Sequence, residues 1–303
     1  MRRKPIYVEI DINTDMDTLW HYTQRPELHE QWDLRFSEIR YLPREKDDDK
    51  QHFLYRTRIG FGLNIAGTGV TKGGVRTAEG ERFSSLSFSS EQIISLIKQG
   101  RGYWKYTPHD NGVTFVTQYD YETRFGLLGK CFDYVLFRPL FGMATAWSFD
   151  VLRIWLEKGI QPALSMQRAL VHYLSVLMIS LLWIYQGLVP KVLFPEAGEL
   201  AIMQEISLFH GWESELLWCL GIAEISIGLL TILWHRKRWI YMPQVILLTL
   251  LAVVALIGTP ELLKQPFNPL TLSGSMIAFC LLARLSNREL PQAKRCIRKR
   301  RRI

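Results

Sequence analysis

Four apolar runs crowd the second half of this 303-residue chain: Ala169 to Val189, Leu216 to Trp234, Trp239 to Ile257 and Leu270 to Leu285. Each approaches the ~20 residues a helix needs to cross ~30 Å of hydrocarbon, the fourth being the shortest. A mean hydropathy near zero conceals them, because the two halves of the chain suit different solvents. Residues 1–160 carry 22 Lys+Arg and 21 Asp+Glu, a net of +1; of the totals of 37 and 29, the remaining 15 and 8 give +7, set between long uncharged stretches. The pattern predicts a water-soluble domain over residues 1–160 and an all-α bundle of four membrane-crossing helices over 161–303, with a basic tail.

Charge sets the expected orientation, since short basic loops resist translocation and acidic ones hardly matter. His235, Arg236, Lys237 and Arg238 end the second run, and the tail holds Arg288, Lys294, Arg295, Arg298 and Lys299 through Arg302. The loop after the first run sets Lys191 against Glu196, Glu199, Glu205, Glu213 and Glu215, and the loop after the third has only Glu261 and Lys264. Both basic segments belong inside, so four crossings leave both chain ends in the cytoplasm of a multi-pass cell-membrane protein. No cleaved leader is expected, because MRRKPIYVEID reaches acidic residues without an apolar core segment. The basic loop reads as a topological anchor and not as a nucleic-acid site; membrane lipid is the expected partner, at ~1 kcal/mol per basic residue near an anionic surface.

In the first half, YVEIDI alternates like a half-buried strand, and Asn13 and Thr14 stand where a helix over TDMDTLWHYTQ needs its N-cap. RPELHEQW reads as a second short helix opened by Pro26. Six alternating runs follow, RFSEIRYL, HFLYRTRI, LNIAGTGVTKG, RFSSLSFSSEQ, GRGYWKYTPHD and GVTFVTQYDYET, the mark of an antiparallel sheet with one dry face. From Leu127 to Leu156 the period becomes helical, with Pro139 expected to kink the helix. This α+β order, with Trp32-Asp33-Leu34-Arg35-Phe36 after the second helix, resembles the helix-grip domains of the START, polyketide-cyclase and aromatase superfamily, SRPBCC. The resemblance implies a curved sheet gripping the long helix over a deep apolar cavity; a solid core would leave the same sequence pattern.

No catalytic constellation emerges. His21, His29, His52 and His109 lack a Ser, Cys or carboxylate partner at a recognisable spacing, and Gly60, Gly62, Gly67 and Gly69 read as turn glycines, not a phosphate loop. Arg56, Arg58, Tyr103, Tyr119 and Arg124 are candidates to point inward. Cys131, Cys219, Cys280 and Cys296 show neither metal nor disulfide spacing.

The apolar half resembles the DoxX-like family, a four-helix membrane fold. Trp183, Gly187, Leu188, Pro190 and Lys191 match its first motif, Ala223, Glu224 and Gly228 its second, and Pro266, Phe267, Asn268 and Pro269 its third. A charged carboxylate at mid-span costs at least ~2.5 kcal/mol on insertion scales, so Glu224 is expected to face the bundle and find a partner, with Lys191, Gln186 and Asn268 as candidates. Two readings stand beside each other: a strut between helices, or a site for a quinone headgroup, a proton or a small polar ligand. Asn268 reads more simply as a helix cap, and His172 and Gln186 as interhelical hydrogen-bonders. Trp183, Trp212, Trp218, Trp234, Trp239 and Tyr241 read as interface anchors. No cofactor motif is visible, and quinone is the one cofactor the resemblance brings in. The expected function is a membrane-anchored binder of an apolar ligand such as a lipid or quinone, the alternatives being a quinone-linked redox component and a scaffold with a protein partner.

Overall fold

The computed structural model describes residues 4–44, 50–60, 62–77, 80–197, 199–206, 211–258, 261, 264 and 268–300. Pro266, Phe267 and His210 lie outside them. The chain divides into two units, Met1–Ser165 with Pro291–Ile303, and Met166–Leu290.

The first unit follows the expected order. Strand β1 (Ile6–Ile12) precedes helices α1 (Met16–Gln24) and α2 (Pro26–Trp32), and then come β2 (Glu38–Tyr41), β3 (Gln51–Gly60), β4 (Leu63–Arg76), β5 (Arg82–Ser89), β6 (Ile97–His109) and β7 (Gly112–Thr123). All pairings are antiparallel, in the order β1-β7-β6-β5-β4-β3-β2. The cap of α1 is Asp15, not Asn13 or Thr14: its Oδ1 accepts the Thr18 N–H at 2.8 Å, three residues on, where neither earlier side chain sits. Gly60 and Gly62 have positive φ at the β3–β4 turn, but Gly67 and Gly69 lie within β4. A Cβ there would fall 2.4 Å from the Tyr55 ring and 2.2 Å from that of Phe53, so these glycines make room for aromatic rings of the neighbouring strand.

The long helical stretch begins with α3 (Gly126–Phe132), passes through a π turn (Asp133–Phe137) and continues as α4 (Arg138–Lys158). The wider turn falls just before Pro139, whose ring cannot supply a regular helical hydrogen bond. The C-terminal half of α4 packs solidly: Phe149, Val151, Leu152 and Ile154 are fully buried with Val8, Ile12 and Phe115, and Phe115 stacks on Phe149 at 4.4 Å. Its N-terminal half does not close on the sheet, and the space left there is the cavity described below. The tail joins this unit. Glu9 and Ile297 form a β-bridge, Cys296 Sγ donates to the Ala146 carbonyl at 3.1 Å, and Asp150 of α4 accepts from Gln292 N at 2.7 Å and Arg295 Nη1 at 3.2 Å. The sequence places residues 291–298 at the end of the membrane half; acceptors on α4 hold them in the first unit instead.

The second unit is helical: α5 (Pro162–Gly187) with a π turn (Leu188–Leu193), α6 (Glu199–Ile206), α7 (Glu213–Trp234), α8 (Tyr241–Gly258) and α9 (Pro269–Ser286). Two stretches, Pro162–Leu193 and Glu213–Trp234, are long and apolar enough to cross a membrane; Arg238–Val254 and Leu270–Ser286 are apolar but shorter. Val176, Ile179, Trp183, Tyr241, Leu248, Met276 and Cys280 form its core. Trp183 and Tyr241 are therefore core residues and not interface anchors: the Trp183 indole donates to Gln244 Oε1 at 2.9 Å, and the Tyr241 hydroxyl to the His235 carbonyl at 2.5 Å. Trp212, Trp218, Trp234 and Trp239 are exposed.

Candidate functional site

The residues Trp32 to Phe36 build the floor of the cavity. Trp32 closes α2 fully buried, its indole donating to the Tyr22 carbonyl at 3.1 Å, which fixes where the chain turns out of the helix. Asp33 follows with no solvent exposure. Its Oδ1 accepts from Arg35 Nε at 2.8 Å and its Oδ2 from Arg35 Nη2 at 2.5 Å and from His29 Nε2 at 3.0 Å, so His29 carries its proton on Nε2. Burial alone pushes the Asp33 carboxyl up, but the Arg35 guanidinium and these hydrogen bonds outweigh it and hold the group well below the usual carboxylate range. Arg35 is held above its ordinary value, the attraction of Asp33 outweighing desolvation.

Beyond the ion pair opens a cavity of about 440 Å³ between the sheet and the N-terminal half of α4. Its wall is almost wholly apolar: Phe36, Ile65, Leu86, Phe88, Trp104 and Phe141 are representative. The guanidinium carbon of Arg35 lies 5.5 Å from the Tyr119 ring centre and 5.9 Å from that of Phe141. Thr145 donates to the Phe141 carbonyl at 2.9 Å, so the Tyr119 hydroxyl donates to Thr145 at 2.7 Å. Asp133 takes a 2.6 Å hydrogen bond from Tyr121 and a 3.0 Å one from Arg138 Nε, which holds the π turn and its Phe137 over the space. Burial pushes the Tyr55 phenol up to about 12, so it stays a neutral hydroxyl. Of the residues lining the cavity, Ile59, Ile94 and Phe132 are about half exposed; Ile93, next to Ile94, and Leu127 and Leu128, on α3 with Phe132, are 80–83 % exposed. A wider depression lined by Thr68, Ser87, Gln99, Arg101 and Asp120 is polar and open to water, so it lacks the enclosure an apolar ligand needs.

In the second unit Glu224, on α7, meets Lys191 from the π turn after α5. Nζ and Oε2 are 3.0 Å apart, an ion pair whose angles fall short of a hydrogen bond, and Glu199 lies 3.3 Å from the same Nζ. The helices come close enough for this because glycines face each other: a Cβ on Gly187 would fall 2.3 Å from the Gly221 carbonyl oxygen. Gln186 contributes its backbone carbonyl, 3.4 Å from Nζ. Asn268 caps α9, accepting from Thr271 N at 3.0 Å. At the other end of the helices, His172 Nδ1 donates to the Ala283 carbonyl at 2.9 Å and its Nε2 lies 2.9 Å from His235 Nδ1. Among the described residues no cluster of three or more His, Cys, Asp or Glu could hold a metal.

Comparison with known proteins bears on the second unit first. A family model described as the DoxX-like family matches residues 180–281. A membrane protein of Bacillus subtilis, YndG, named as uncharacterized, is 46 % identical over 241 residues, 79 % of this chain and 81 % of that protein. The chain belongs to the DoxX-like family. It is a membrane protein with a helix-grip domain in front of the DoxX-like bundle, the former evident in its own topology. Among solved structures, a STAR-related lipid transfer protein of Xanthomonas axonopodis covers 44 % of this chain and 77 % of its own at 14 % identity and a TM-score of 0.35. A protein of Thermus thermophilus covers 45 % and 86 % at 11 % identity, with the same score. Scores this low add nothing to what the topology already shows.

Of the residues singled out by sequence in this DoxX-like protein, the fold brings together Glu224, Lys191 and the Gln186 backbone, and leaves Asn268 to its cap. Tyr103 and Tyr119 line the cavity. Arg56 instead pairs with Glu38 at 3.4 Å on the exposed side, Arg58 is exposed, and Arg124 donates to the carbonyls of Gln92 and Ser95, pinning the loop before β6. Arg35, the cation that does face the cavity, sits inside the very Trp32–Phe36 stretch that carries the family resemblance. The His172–His235 contact needed both helices in place to be seen.

Proposed function

We propose that the helix-grip domain holds one apolar molecule, a membrane lipid or an isoprenoid quinone, and that the DoxX-like bundle keeps this binder at the inner leaflet. The observation that carries the reading is the apolar cavity in a chain that belongs to a membrane family. The half-exposed cavity residues Ile59, Ile94 and Phe132, with exposed Ile93, Leu127 and Leu128 beside them in the chain, favour loading from a bilayer, because burying apolar surface is worth ~25 cal/mol per Å².

Four crossings complete the reading. The bonds of the tail to β1 and α4 support a domain and tail on one side, with an even number of crossings between them. At 1.5 Å per residue the 18 residues of α8 and of α9 each reach roughly 27 Å, enough for a thin hydrocarbon layer. The positive-inside rule puts the loop 235–238 and the tail in the cytoplasm. Lys191 and Glu224 act as a strut rather than a ligand site, since each already meets the other.

Substituting Ala144, which lines the cavity, by Trp fills the space without touching the floor. Full-length wild type and Ala144→Trp are purified in the same detergent and their bound organic molecules extracted and compared by mass spectrometry. One species enriched in the wild type alone is the expected result. Identical extracts from two equally folded proteins would end the ligand-binding reading.

A further inference from the structure

The cavity is apolar except at one place. Of the polar side chains on its wall, Tyr55 donates to the Ser89 carbonyl, Thr57 to the Arg35 carbonyl, Ser95 to the Ile97 carbonyl, Tyr103 to the Gln118 side-chain carbonyl, Thr117 to the Tyr103 carbonyl and Tyr119 to Thr145. Each of these hydroxyls has therefore committed its only proton. Arg35 differs. A guanidinium has five N–H donors; Asp33 takes the Nε proton and one on Nη2, and Tyr119, pressed against the group, accepts at most one more. Two donors remain beyond these, on a side chain that lines the cavity. A donor that lines an apolar cavity gains from an acceptor oxygen, of water or of a ligand, laid against it.

Charge then narrows the acceptor. Asp33 is fully buried directly behind Arg35 and binds it through both oxygens, so the cation is already balanced. A ligand carboxylate on the far edge would place a second negative charge on the same guanidinium in an apolar, low-dielectric space, with nothing left to neutralise it. A carbonyl or ester oxygen takes the same two hydrogen bonds and brings no net charge. The rings of Phe36, Tyr119 and Phe141 lie 5.5–5.9 Å from the guanidinium carbon, and the hydroxyls elsewhere on the wall have already committed their protons.

Building on the cavity reading above, we propose that the outer edge of Arg35 is a headgroup site for an uncharged carbonyl or ester oxygen on an otherwise apolar ligand, and that Asp33 behind it selects against free carboxylates. The ligand's hydrocarbon then runs along Phe137 and Phe141 to the opening at Ile94 and Phe132. Within the class of lipids and quinones this selects quinones, esters and ketones over fatty acids.

Three probes of matched length separate the alternatives: radiolabelled methyl palmitate, palmitate at pH 8 and hexadecane, bound to the full-length protein in detergent, with Ala144→Trp supplying the blank for uptake by the micelle. Hydrogen bonds to a charged donor are worth ~10- to 100-fold in affinity, so the ester should exceed hexadecane by that factor, and palmitate should fall below the ester. Arg35→Met should erase the ester's advantage and leave hexadecane binding in place. Should Arg35→Met not fold, because it strands Asp33, the wild-type order of the three probes decides alone, and Arg35→Lys, which keeps the charge, should retain only part of the ester's advantage. Ester and hexadecane binding alike, or palmitate binding tighter than the ester, overturns the headgroup site while leaving the cavity reading intact. No probe binding above the Ala144→Trp blank overturns the cavity reading and this inference with it.

Discussion

Asp150 on α4 and Arg295 in the tail lie 3.2 Å apart although 145 residues separate them in the chain, and the same carboxylate oxygen accepts the Gln292 N–H at 2.7 Å. Its other oxygen takes Arg153 Nε at 2.7 Å. A buried carboxylate is tolerable only when its lone pairs are filled, and here the tail fills half of them. The segment that follows the bundle is thereby a structural part of the helix-grip domain.

Cys296 reports on that docking. Burial, reinforced by Asp150, pushes its thiol up to about 12, and its Sγ is bonded to the Ala146 carbonyl. A water-soluble maleimide at pH 7.5 should label exposed Cys131 quickly and spare Cys296. Asp150→Asn weakens the hold on Arg295, and Cys296 labelling should rise by about tenfold or more, the change expected for a loss near 1.4 kcal/mol. Equal protection in the variant would mean that the tail is held by its other contacts, the β-bridge to Glu9 and the Cys296 bond to Ala146, without Asp150.

Asp33 gives the domain a pH signature. Its folded value is depressed, so the stability it contributes is complete above the unfolded value of about 4 and is lost as pH falls from there through the folded value. Asp33→Asn should unfold more easily at pH 7, on the order of 3–5 kcal/mol because it leaves Arg35 buried without its counter-charge. The gap to wild type should stay level from pH 7 to 5 and narrow by pH 3, followed as the thermal midpoint of the sheet domain by circular dichroism. A gap unchanged down to pH 3 would show that the folded protein does not hold Asp33 ionised.

In the bundle, Lys191 is 7 % and Glu224 12 % exposed, so removing one partner strands the other. Lys191→Met alone should cost about 3–5 kcal/mol of stability in detergent, and the double variant Lys191→Met, Glu224→Gln should recover most of it, as expected of a buried pair that works as a strut. Equal losses in single and double variants would argue that the two side chains serve something other than each other.

Much of this was legible in the sequence, and the failures share a cause. Period-two runs gave seven strands and period-3.6 runs the long helix, because each pattern is local. Asp15 was passed over since three successive residues could all cap, and only the reach to Thr18 separates them. Gly67 and Gly69 looked like turn residues because the rings that need their space, Tyr55 and Phe53, belong to the next strand and are placed by register. Trp183 and Tyr241 sit at the ends of apolar runs yet pack inward, a choice set by Gln244 and the His235 carbonyl on other segments. Arg35 was in plain view within its motif, but sequence does not say which way an arginine points.

The histidine pair yields to the same logic. Since the Ala283 carbonyl can only accept, His172 carries its proton on Nδ1; a neutral His172 then offers a lone pair at Nε2, and His235 must donate from Nδ1. The His235 carbonyl in turn accepts from Tyr241 and, at 3.2 Å, from the Asn287 amide, so α5, α7, α8 and α9 are tied at one end through the two imidazoles and the His235 backbone. His172→Ala leaves a buried carbonyl and an imidazole without their partner, at a cost of about 1–3 kcal/mol for each unsatisfied group. His235→Ala should cost a similar amount, and because both remove the same contact, the double variant should lose less than the sum. Thermal midpoints in one detergent for the four proteins of this cycle measure the coupling. Strict additivity would mean that the 2.9 Å contact contributes nothing, and that each ring serves its helix separately.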